Sequence, residues 1–199
     1  MFITVEGSNG IGKSSIIKNI KEKLLMDGLK VFVTKEPTNS TLGDFIRTSE
    51  SNYGGISYAC LIASDRYFHI ENEIIPQLAD GNIVISDRYI ESSLVLQCLD
   101  GVDIDFVWEI NKKVLKPSLN IILTGDSSIV EERMRTRDVL SRFEKNYTRK
   151  QEIEQYNYVS NFLSRKGFNV LLVDNTSNAI ETNIETIMFH IKNLLNTIN

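Results

Sequence analysis

Five short, almost uninterrupted apolar runs alternate with longer segments of helical periodicity, and this alternation strongly constrains the fold. The runs are Met1 to Glu6, Lys30 to Lys35, Asn82 to Asp87, Leu119 to Thr124 and Asn169 to Asp174. Strands that are apolar on both sides need cover on both faces, as in parallel sheets whose crossover connections are helices. The sequence therefore predicts an α/β fold with a parallel sheet between helical layers.

The length and composition fit one domain. The chain has 199 residues, 42% of them hydrophobic, which suffices for a sizeable core. We expect a single domain over residues 1–199. Two polar stretches, 38–55 and 133–150, show no strand pattern. We interpret both as mobile elements around a site, and the second as a lid.

Charge and cysteine content exclude several classes of protein. A net charge of −4 argues against sequence-independent binding to nucleic acid, which needs a basic face. Cys60 and Cys98 lack the spacing of a metal site or a disulfide framework, so we expect free thiols. No apolar run approaches the ~18 residues of a membrane span, and no secretion signal precedes the first strand. We therefore expect a cytoplasmic protein without a membrane partner.

The segment from Gly7 to Ser14 has the pattern G-x-x-x-x-G-K-S, between a hydrophobic strand and an amphipathic helix. Glycines let the backbone wrap a phosphate, so that N–H groups and the helix N-terminus point at the anion. We expect Lys13 to bind the β- and γ-phosphates of ATP, and Ser14 to bind Mg²⁺. The predicted ATP-binding residues are Gly7, Ser8, Asn9, Gly10, Ile11, Gly12, Lys13, Ser14 and Ser15. An ordinary glycine-rich turn is the alternative, but it leaves Lys13 and Ser14 without a role.

The third predicted strand ends in Asp87, where proteins with this loop hold Mg²⁺ beside the loop serine. A helix cap is the alternative for this residue. The guanidinium of the next residue, Arg88, suits bidentate binding of phosphate oxygens, although it could also be a solvated surface arginine. Arg47 and Arg66 lie in helical contexts before this strand and could converge on the same acceptor from other sides.

A second group of arginines follows the fourth predicted strand, at Arg133, Arg135, Arg137 and Arg142. Residues four apart share a helix face, so Arg133 and Arg137 should point the same way. We predict that these two are catalytic and close over the transferring phosphoryl group, where stabilisation of charge matters most. A solvated charged face is the alternative, because glutamates accompany the arginines.

With these residues the chain resembles the thymidylate kinase family, from Phe2 to about Asp174. The segment Val84 to Gln97 resembles the family's Asp-Arg-Tyr segment and the residues that follow it. Further matches come in the family's order: Thr34-Lys35-Glu36-Pro37, Gly43 to Arg47, Ala63-Ser64-Asp65-Arg66 with His69, Pro76 before Gly81, and Arg133 and Arg137 ahead of Ser141-Arg142-Phe143-Glu144.

The resemblance implies a fold, an activity and an assembly. The implied fold is the P-loop kinase fold, a five-stranded parallel sheet of order 2-3-1-4-5 with helices on both faces. The implied activity is ATP-dependent phosphorylation of a nucleoside monophosphate, dTMP to dTDP, with Mg²⁺ and often in a homodimer. Arginines placed in the lid rather than in the phosphate loop resemble the bacterial form.

The resemblance also implies roles for the acceptor site. Arg47 and Arg88 would hold the acceptor phosphate, Arg66 would face the base, and a cis peptide bond would precede Pro37. The implied acceptor-site residues are Asn9, Pro37, Arg47, Ile62, Arg66, Arg88, Ser93 and Gln97. The implied catalytic residues are Lys13, Asp87, Arg88, Arg133 and Arg137.

Several positions depart from the family pattern. Asn9 replaces the usual Asp or Glu near the acceptor sugar, and Ile62 replaces an aromatic residue that stacks on thymine. The segment after Gln97 is shorter than the family's glycine-rich loop. A kinase for another deoxynucleotide therefore remains an alternative. A non-catalytic nucleotide-binding protein is a second one, although Asn111 to Val114 lacks the Asp of the guanine-reading signature.

Overall fold

The computed structural model describes residues 1–135 and 140–198, and it contains a five-stranded, fully parallel sheet. The strands are β1 Phe2–Glu6, β2 Val31–Lys35, β3 Ile83–Asp87, β4 Leu119–Thr124 and β5 Val170–Asp174. Their spatial order is β2-β3-β1-β4-β5, which confirms the predicted fold class and strand order. All five predicted strands are present, with ends within one residue of the apolar runs.

Helices connect the strands and cover both faces of the sheet. They are α1 Lys13–Met26, α2 Thr41–Ser49, α3 Gly55–His69, α4 Ile75–Ala79, α5 Ile90–Leu99, α6 Ile104–Asn111, α7 Ser127–Met134, α8 Arg142–Asn146, α9 Arg149–Arg165 and α10 Ile180–Ile198. A π-helical turn, Ile70–Ile74, joins α3 to α4. Ser141 and Thr148 are the N-cap residues of α8 and α9. Each forms a capping box, which satisfies the first free N–H groups of its helix.

The core has a layer on each face of the sheet, as the two-sided apolar strands require. Ile3 and Val5 of β1 point toward α1 and α10, while Phe2 and Val84 point toward α5 and α9. Burying each such side chain stabilises the fold by about 1.5–3 kcal/mol relative to leaving it in water. This two-layer burial explains why the strands are almost uninterrupted apolar runs.

The parallel arrangement brings the carboxyl ends of the strands to one edge of the sheet, where α/β proteins bind ligands. Val5 pairs with Asp87 across β1 and β3, and Thr124 pairs with Asp174 across β4 and β5. The phosphate-loop segment leaves β1 at this edge. The candidate residues from distant parts of the sequence therefore come together there.

The two polar stretches interpreted as mobile elements contain helices. The first includes α2, and the second includes the end of α7, all of α8 and the start of α9. Arg137, predicted for the lid, lies outside the described residues. Cys60 and Cys98 are free thiols, as expected. Of the helices in the described part of the chain, none combines the length and apolar character needed to cross a bilayer.

Candidate active site

The loop between β1 and α1 wraps closely against its surroundings, and two glycines permit this. Gly7 has φ 137° and Gly12 has φ 107°, in the region that L side chains rarely adopt. A Cβ at Gly7 would lie 2.6 Å from the carbonyl oxygen of Leu123, and one at Gly12 would lie 2.5 Å from Nδ2 of Asn175. The loop shape therefore depends on glycine at both positions.

Lys13, the first residue of α1, lies buried against this loop. Its Nζ donates to the carbonyl oxygens of Gly7 at 2.8 Å and Ser8 at 3.1 Å. Burial, with the nearby charge of Arg88, lowers the pKa of Lys13 to about 7 from its ordinary 10.5. An arriving polyphosphate would favour the charged form of this ammonium group.

A cavity beside the loop, called here the donor cavity, is lined by both predicted metal residues and by six of the nine predicted ATP-binding residues, but not by Gly7, Ser8 and Ile11. Its lining is Asn9, Gly10, Gly12, Lys13, Ser14, Ser15, Lys35, Glu36, Asp87 and Arg88. Oδ1 of Asp87 is buried and has no hydrogen-bond partner among the described residues. An unpartnered carboxylate oxygen in the same cavity as Ser14 suits Mg²⁺, a hard cation that prefers oxygen ligands.

No group of three or more His, Cys, Asp or Glu side chains within residues 1–135 and 140–198 could hold a metal by itself. A magnesium ion bound through Ser14 and Asp87 would take its remaining ligands from phosphate and water, which is usual for this metal. The donor set therefore fits Mg²⁺ carried with ATP.

Arg88 links the donor cavity to a second cavity, and its backbone has φ 76°, an unusual value for a residue with a side chain. The hydroxyl of Ser86 donates to the Arg88 carbonyl at 2.7 Å and supports this conformation. In the Arg88 side chain, Nη1 donates to Oγ of Ser92 at 3.0 Å and to the Tyr156 hydroxyl at 3.4 Å, and Nη2 donates to Oδ1 of Asn9. The guanidinium is thus fixed between the two cavities.

Glu6, at the end of β1, accepts several hydrogen bonds beneath this site. Glu6 is not among the functional residues predicted from the sequence. Its carboxylate accepts from the backbone N–H groups of Tyr89 at 2.6 Å and Ser92 at 3.0 Å. It also accepts from the hydroxyls of Ser92 at 2.7 Å and Tyr156 at 3.1 Å. Burial raises the pKa of Glu6, although Arg88 acts in the opposite direction. A polar residue ending an apolar strand was the available signal.

The second cavity, called here the acceptor cavity, has a volume of about 200 Å³. The predicted acceptor residues that line it are Asn9, Pro37, Arg47, Ile62, Arg66, Arg88, Ser93 and Gln97. All eight are thus brought together. Gln97 is almost fully buried, and its Oε1 has no hydrogen-bond partner in the described part of the chain. Asn9, Glu36 and Arg88 line both cavities, so the cavities meet at these residues.

Two predicted acceptor residues contact each other at α2, with Pro37 before the helix and Arg47 in its last turn. The peptide bond between Glu36 and Pro37 is cis, as the resemblance implied. Nη1 of Arg47 donates to the Pro37 carbonyl at 2.7 Å, and Nη2 pairs with Asp44. About a third of the Arg47 side chain is exposed, so the guanidinium can still contact an anion.

Arg66 is buried and has protein partners for its whole guanidinium. Nε and Nη2 contact Oε2 of Glu36 at 2.9 and 2.8 Å. Nη1 donates to Oγ of Ser93 at 2.9 Å and Oδ1 of Asn111 at 2.7 Å, and Nη2 also donates to the Tyr89 carbonyl at 2.8 Å. These contacts use the five donors that an arginine has. Its predicted role of facing the base stays a prediction.

Two asparagines near the C-terminus support the phosphate loop, and the sequence offered no signal for them. Nδ2 of Asn175 donates to the Ile11 carbonyl at 2.8 Å, inside the loop. Nδ2 of Asn183 donates to Oδ1 of Asn175 at 2.9 Å and to the Asp174 carbonyl at 2.8 Å. This chain of amides fixes the loop from α10.

The described arginines of the predicted lid lie in different surroundings. Nη1 of Arg133 donates to the Asn175 carbonyl at 3.4 Å, beside the residue that holds the loop. Met134 packs against Gly10 so closely that a Cβ added at Gly10 would lie 2.7 Å from Cγ of Met134. Arg142 instead pairs with Asp100, at 2.7 Å between Nη1 and Oδ1. The end of α7 thus lies against the phosphate loop.

Comparisons with known proteins agree with this geometry. Residues 5–187 match the family described as "Thymidylate kinase". A relative from Caldivirga maquilingensis, described as "Probable thymidylate kinase", is 39% identical over 150 residues, 73% of each chain. The "Thymidylate kinase" of Caldicellulosiruptor saccharolyticus is 37% identical over 142 residues, which cover 67% of this chain and 69% of the relative. The chain belongs to the thymidylate kinase family.

Proposed function

We propose that the protein transfers the γ-phosphate of ATP to dTMP, giving dTDP and ADP. The observation that carries this proposal is the junction of the two cavities at Asn9, Glu36 and Arg88. A phosphate on each side of this junction would place donor and acceptor close together, and such positioning supplies much of the rate enhancement in phosphoryl transfer.

On the donor side, the loop N–H groups and Lys13 would bind the β- and γ-phosphates of ATP. Ser14 and Asp87 would hold Mg²⁺, and support comes from the unpartnered, buried Oδ1 of Asp87. When bound, the metal supplies neutralisation of charge on the transferring phosphates. Arg133 and Arg137 are the candidates for closing over the phosphoryl group from the lid.

On the acceptor side, Arg88 and Arg47 would bind the phosphate of dTMP through charge-assisted hydrogen bonds. Arg88 already bridges Asn9, Ser92 and the Tyr156 hydroxyl, so little ordering is needed when the phosphate binds. The acceptor phosphate is itself an anionic nucleophile, and the reaction needs no general base. Orientation and charge stabilisation therefore carry the mechanism.

The base would bind between apolar and amide groups. Ile62 offers an aliphatic surface, while Gln97 offers a buried amide with an unpartnered oxygen. A base that makes no hydrogen bond with a buried amide binds weakly, because the free-energy cost of desolvating the amide is not recovered. Gln97 is therefore our candidate for reading the edge of thymine.

The test is ADP release with Mg-ATP and a panel of acceptors: dTMP, dUMP, dCMP, dAMP, dGMP and the corresponding ribonucleotides. We expect a clear preference for dTMP. Lys13→Ala and Arg88→Ala should each lower turnover by about a thousandfold or more, since each removes a buried charge from the transferring phosphates. Preference for another acceptor would reassign the substrate, and nucleotide binding without turnover would support a non-catalytic binder.

We also infer a homodimer and a cytoplasmic location. Large apolar side chains are exposed along α3 and α4: Ile56 is 59% exposed, Phe68 45% and Ile75 48%. Contiguous patches of exposed apolar surface mark interfaces between subunits, and these three side chains are our candidates for such a patch. Free thiols at Cys60 and Cys98 are compatible with a reducing compartment.

A further inference from the structure

Asp100, which directly follows α5, receives hydrogen bonds from three residues in two separate segments, the start of α3 and α8 with its C-cap. Nη1 of Arg142 donates to Oδ1 at 2.7 Å, and Nη2 donates to Oδ2 at 3.0 Å. The backbone N–H of Gly55, at the start of α3, donates to Oδ2 at 3.0 Å. The Tyr147 hydroxyl donates to Oδ1 at 3.4 Å. One carboxylate thus joins α5, α3 and α8.

The pair between Asp100 and Arg142 has the features of a strong ion pair. It is bidentate, and the two side chains are only 12% and 17% exposed. Burial acts to raise the pKa of Asp100, but the hydrogen bonds from Arg142 and Gly55 outweigh it and lower the pKa. A bidentate ion pair with little exposure to solvent fixes the orientation of the guanidinium and the carboxylate more firmly than an exposed ion pair does.

The guanidinium of Arg142 covers two aromatic rings. Its Cζ lies 5.4 Å from the ring centre of Tyr58 and 4.4 Å from that of Phe143. The two rings are 6.2 Å apart, and with Ile46 they form a small hydrophobic cluster separate from the main core. An arginine stacked on aromatic rings holds their relative position through cation–π attraction.

Tyr58 and Phe143 are buried and form part of the wall of the acceptor cavity. Asp100 and Arg142 lie behind this wall, outside the cavity lining. Arg142 is also fixed through its backbone N–H, which donates to Glu50, another residue of the lining. The ion pair is therefore placed to shape the cavity without touching its contents.

We propose that Asp100 is a positioning residue for acceptor binding: through Arg142 it holds the Tyr58–Phe143 wall of the acceptor cavity. This inference rests on the proposed function of that cavity. The segment bearing Arg142 and Phe143 follows the predicted lid arginines, so the ion pair anchors it to α3 and α5. Loss of the pair would let this wall move, and the acceptor would bind less tightly.

The test compares Michaelis constants for the two substrates in wild type, Asp100→Asn and Arg142→Lys. Asparagine keeps the size of the side chain and an acceptor for Gly55, but it removes the charge and the bidentate geometry. We expect KM for dTMP to rise about tenfold, equivalent to about 1.4 kcal/mol, with KM for ATP within about twofold of wild type. The double variant should lose little more than either single variant, because both remove one interaction.

Asp105→Asn is the matched control, since Asp105 is an exposed aspartate close by on α6. It should leave both constants unchanged. An unchanged KM for dTMP in Asp100→Asn, or equal losses for both substrates with a lowered melting temperature, would overturn the proposal.

The wild-type acceptor panel is measured first, and it tests the proposed function by itself. If the wild type prefers another nucleotide, the same comparison is made with that nucleotide. Turnover by the wild type without a selective effect in the variants would reject only the positioning role.

Discussion

At the scale of single residues, the ammonium group of Lys13 has unusual surroundings. It is buried and donates to loop carbonyl oxygens, and its pKa of about 7 leaves it largely neutral at slightly alkaline pH. The polyphosphate of ATP is strongly anionic and would favour the charged form. Binding of ATP should therefore be coupled to uptake of a proton.

We predict that uptake approaches one proton at about pH 8, where free Lys13 is mostly neutral, and fades at about pH 6, where it is already charged. ATP binding takes up a proton rather than releasing one because the pKa of Lys13 is lowered. Only above about pH 7 does the free protein lack the proton on Lys13. Calorimetric titration with Mg-ATP in buffers of different ionisation enthalpy measures the uptake. Heats independent of the buffer at the higher pH would contradict the prediction.

Asn175 is the second residue with a testable role, because it supports the phosphate loop without lying in the predicted motif. Asn175→Ala leaves the Ile11 carbonyl without the amide that donates to it, and it removes one of the two acceptors of the Asn183 amide. We expect a loss of about 1–3 kcal/mol in the free energy of unfolding, the usual cost of unpaired buried polar groups, and weaker ATP binding.

Denaturant unfolding and KM for ATP measure these two effects. Asn178→Ala is the control, because Asn178 is exposed and its side-chain amide makes long contacts, at 3.4 Å, with the Asp174 carbonyl and Oδ1 of Asn183. Equal effects in both variants would argue against a specific role of Asn175.

At the scale of elements, β1, α5 and α9 meet at the carboxylate of Glu6. The N-terminus of α5 points two backbone N–H groups at it, and α9 contributes the Tyr156 hydroxyl. That hydroxyl also accepts from Arg88, so α9 helps to orient the arginine predicted to bind the acceptor phosphate. Packing of this helix and the geometry of the site are therefore linked.

Tyr156→Phe removes this hydroxyl and keeps the ring. We predict a fall in stability of about 1–2 kcal/mol, from the lost buried hydrogen bonds, and a several-fold fall in kcat/KM for dTMP. Chemical denaturation and steady-state kinetics test both parts. Tyr158→Phe, a nearly half-exposed tyrosine on the same helix, should change neither quantity.

The sequence was sufficient for elements whose pattern is local. Apolar runs predicted all five strands, and the loop motif predicted the connection between a strand and a helix that β1 and α1 form. Glu6 and Asn175 could not be predicted in this way, because their roles arise from contacts between segments up to 164 residues apart. Arg66 illustrates the same limit, since only the fold reveals the partners of its guanidinium.

At the scale of the whole molecule, the exposed apolar surface of α3 and α4 is available for association. We predict that the protein sediments at about twice its chain mass of 22.7 kDa. Phe68→Asp should shift the protein toward the monomer, because burying an unpaired carboxylate in an interface is costly. Analytical ultracentrifugation measures the change.

Phe189→Asp is the control for this prediction, since Phe189 is also exposed, at 64%, but lies on α10. A wild-type protein that stays monomeric at high concentration would contradict the proposed homodimer. Loss of the dimer in the Phe189 variant alone would move the interface to α10.

The amide chain from α10 to the phosphate loop also has a genetic consequence. Asn183 lies beyond the last strand, yet it orients the asparagine that holds the Ile11 carbonyl. A nonsense codon between β5 and Asn183 would thus remove a support of the nucleotide site together with α10. Such alleles should behave as loss-of-function alleles even where the truncated chain still accumulates in the cell.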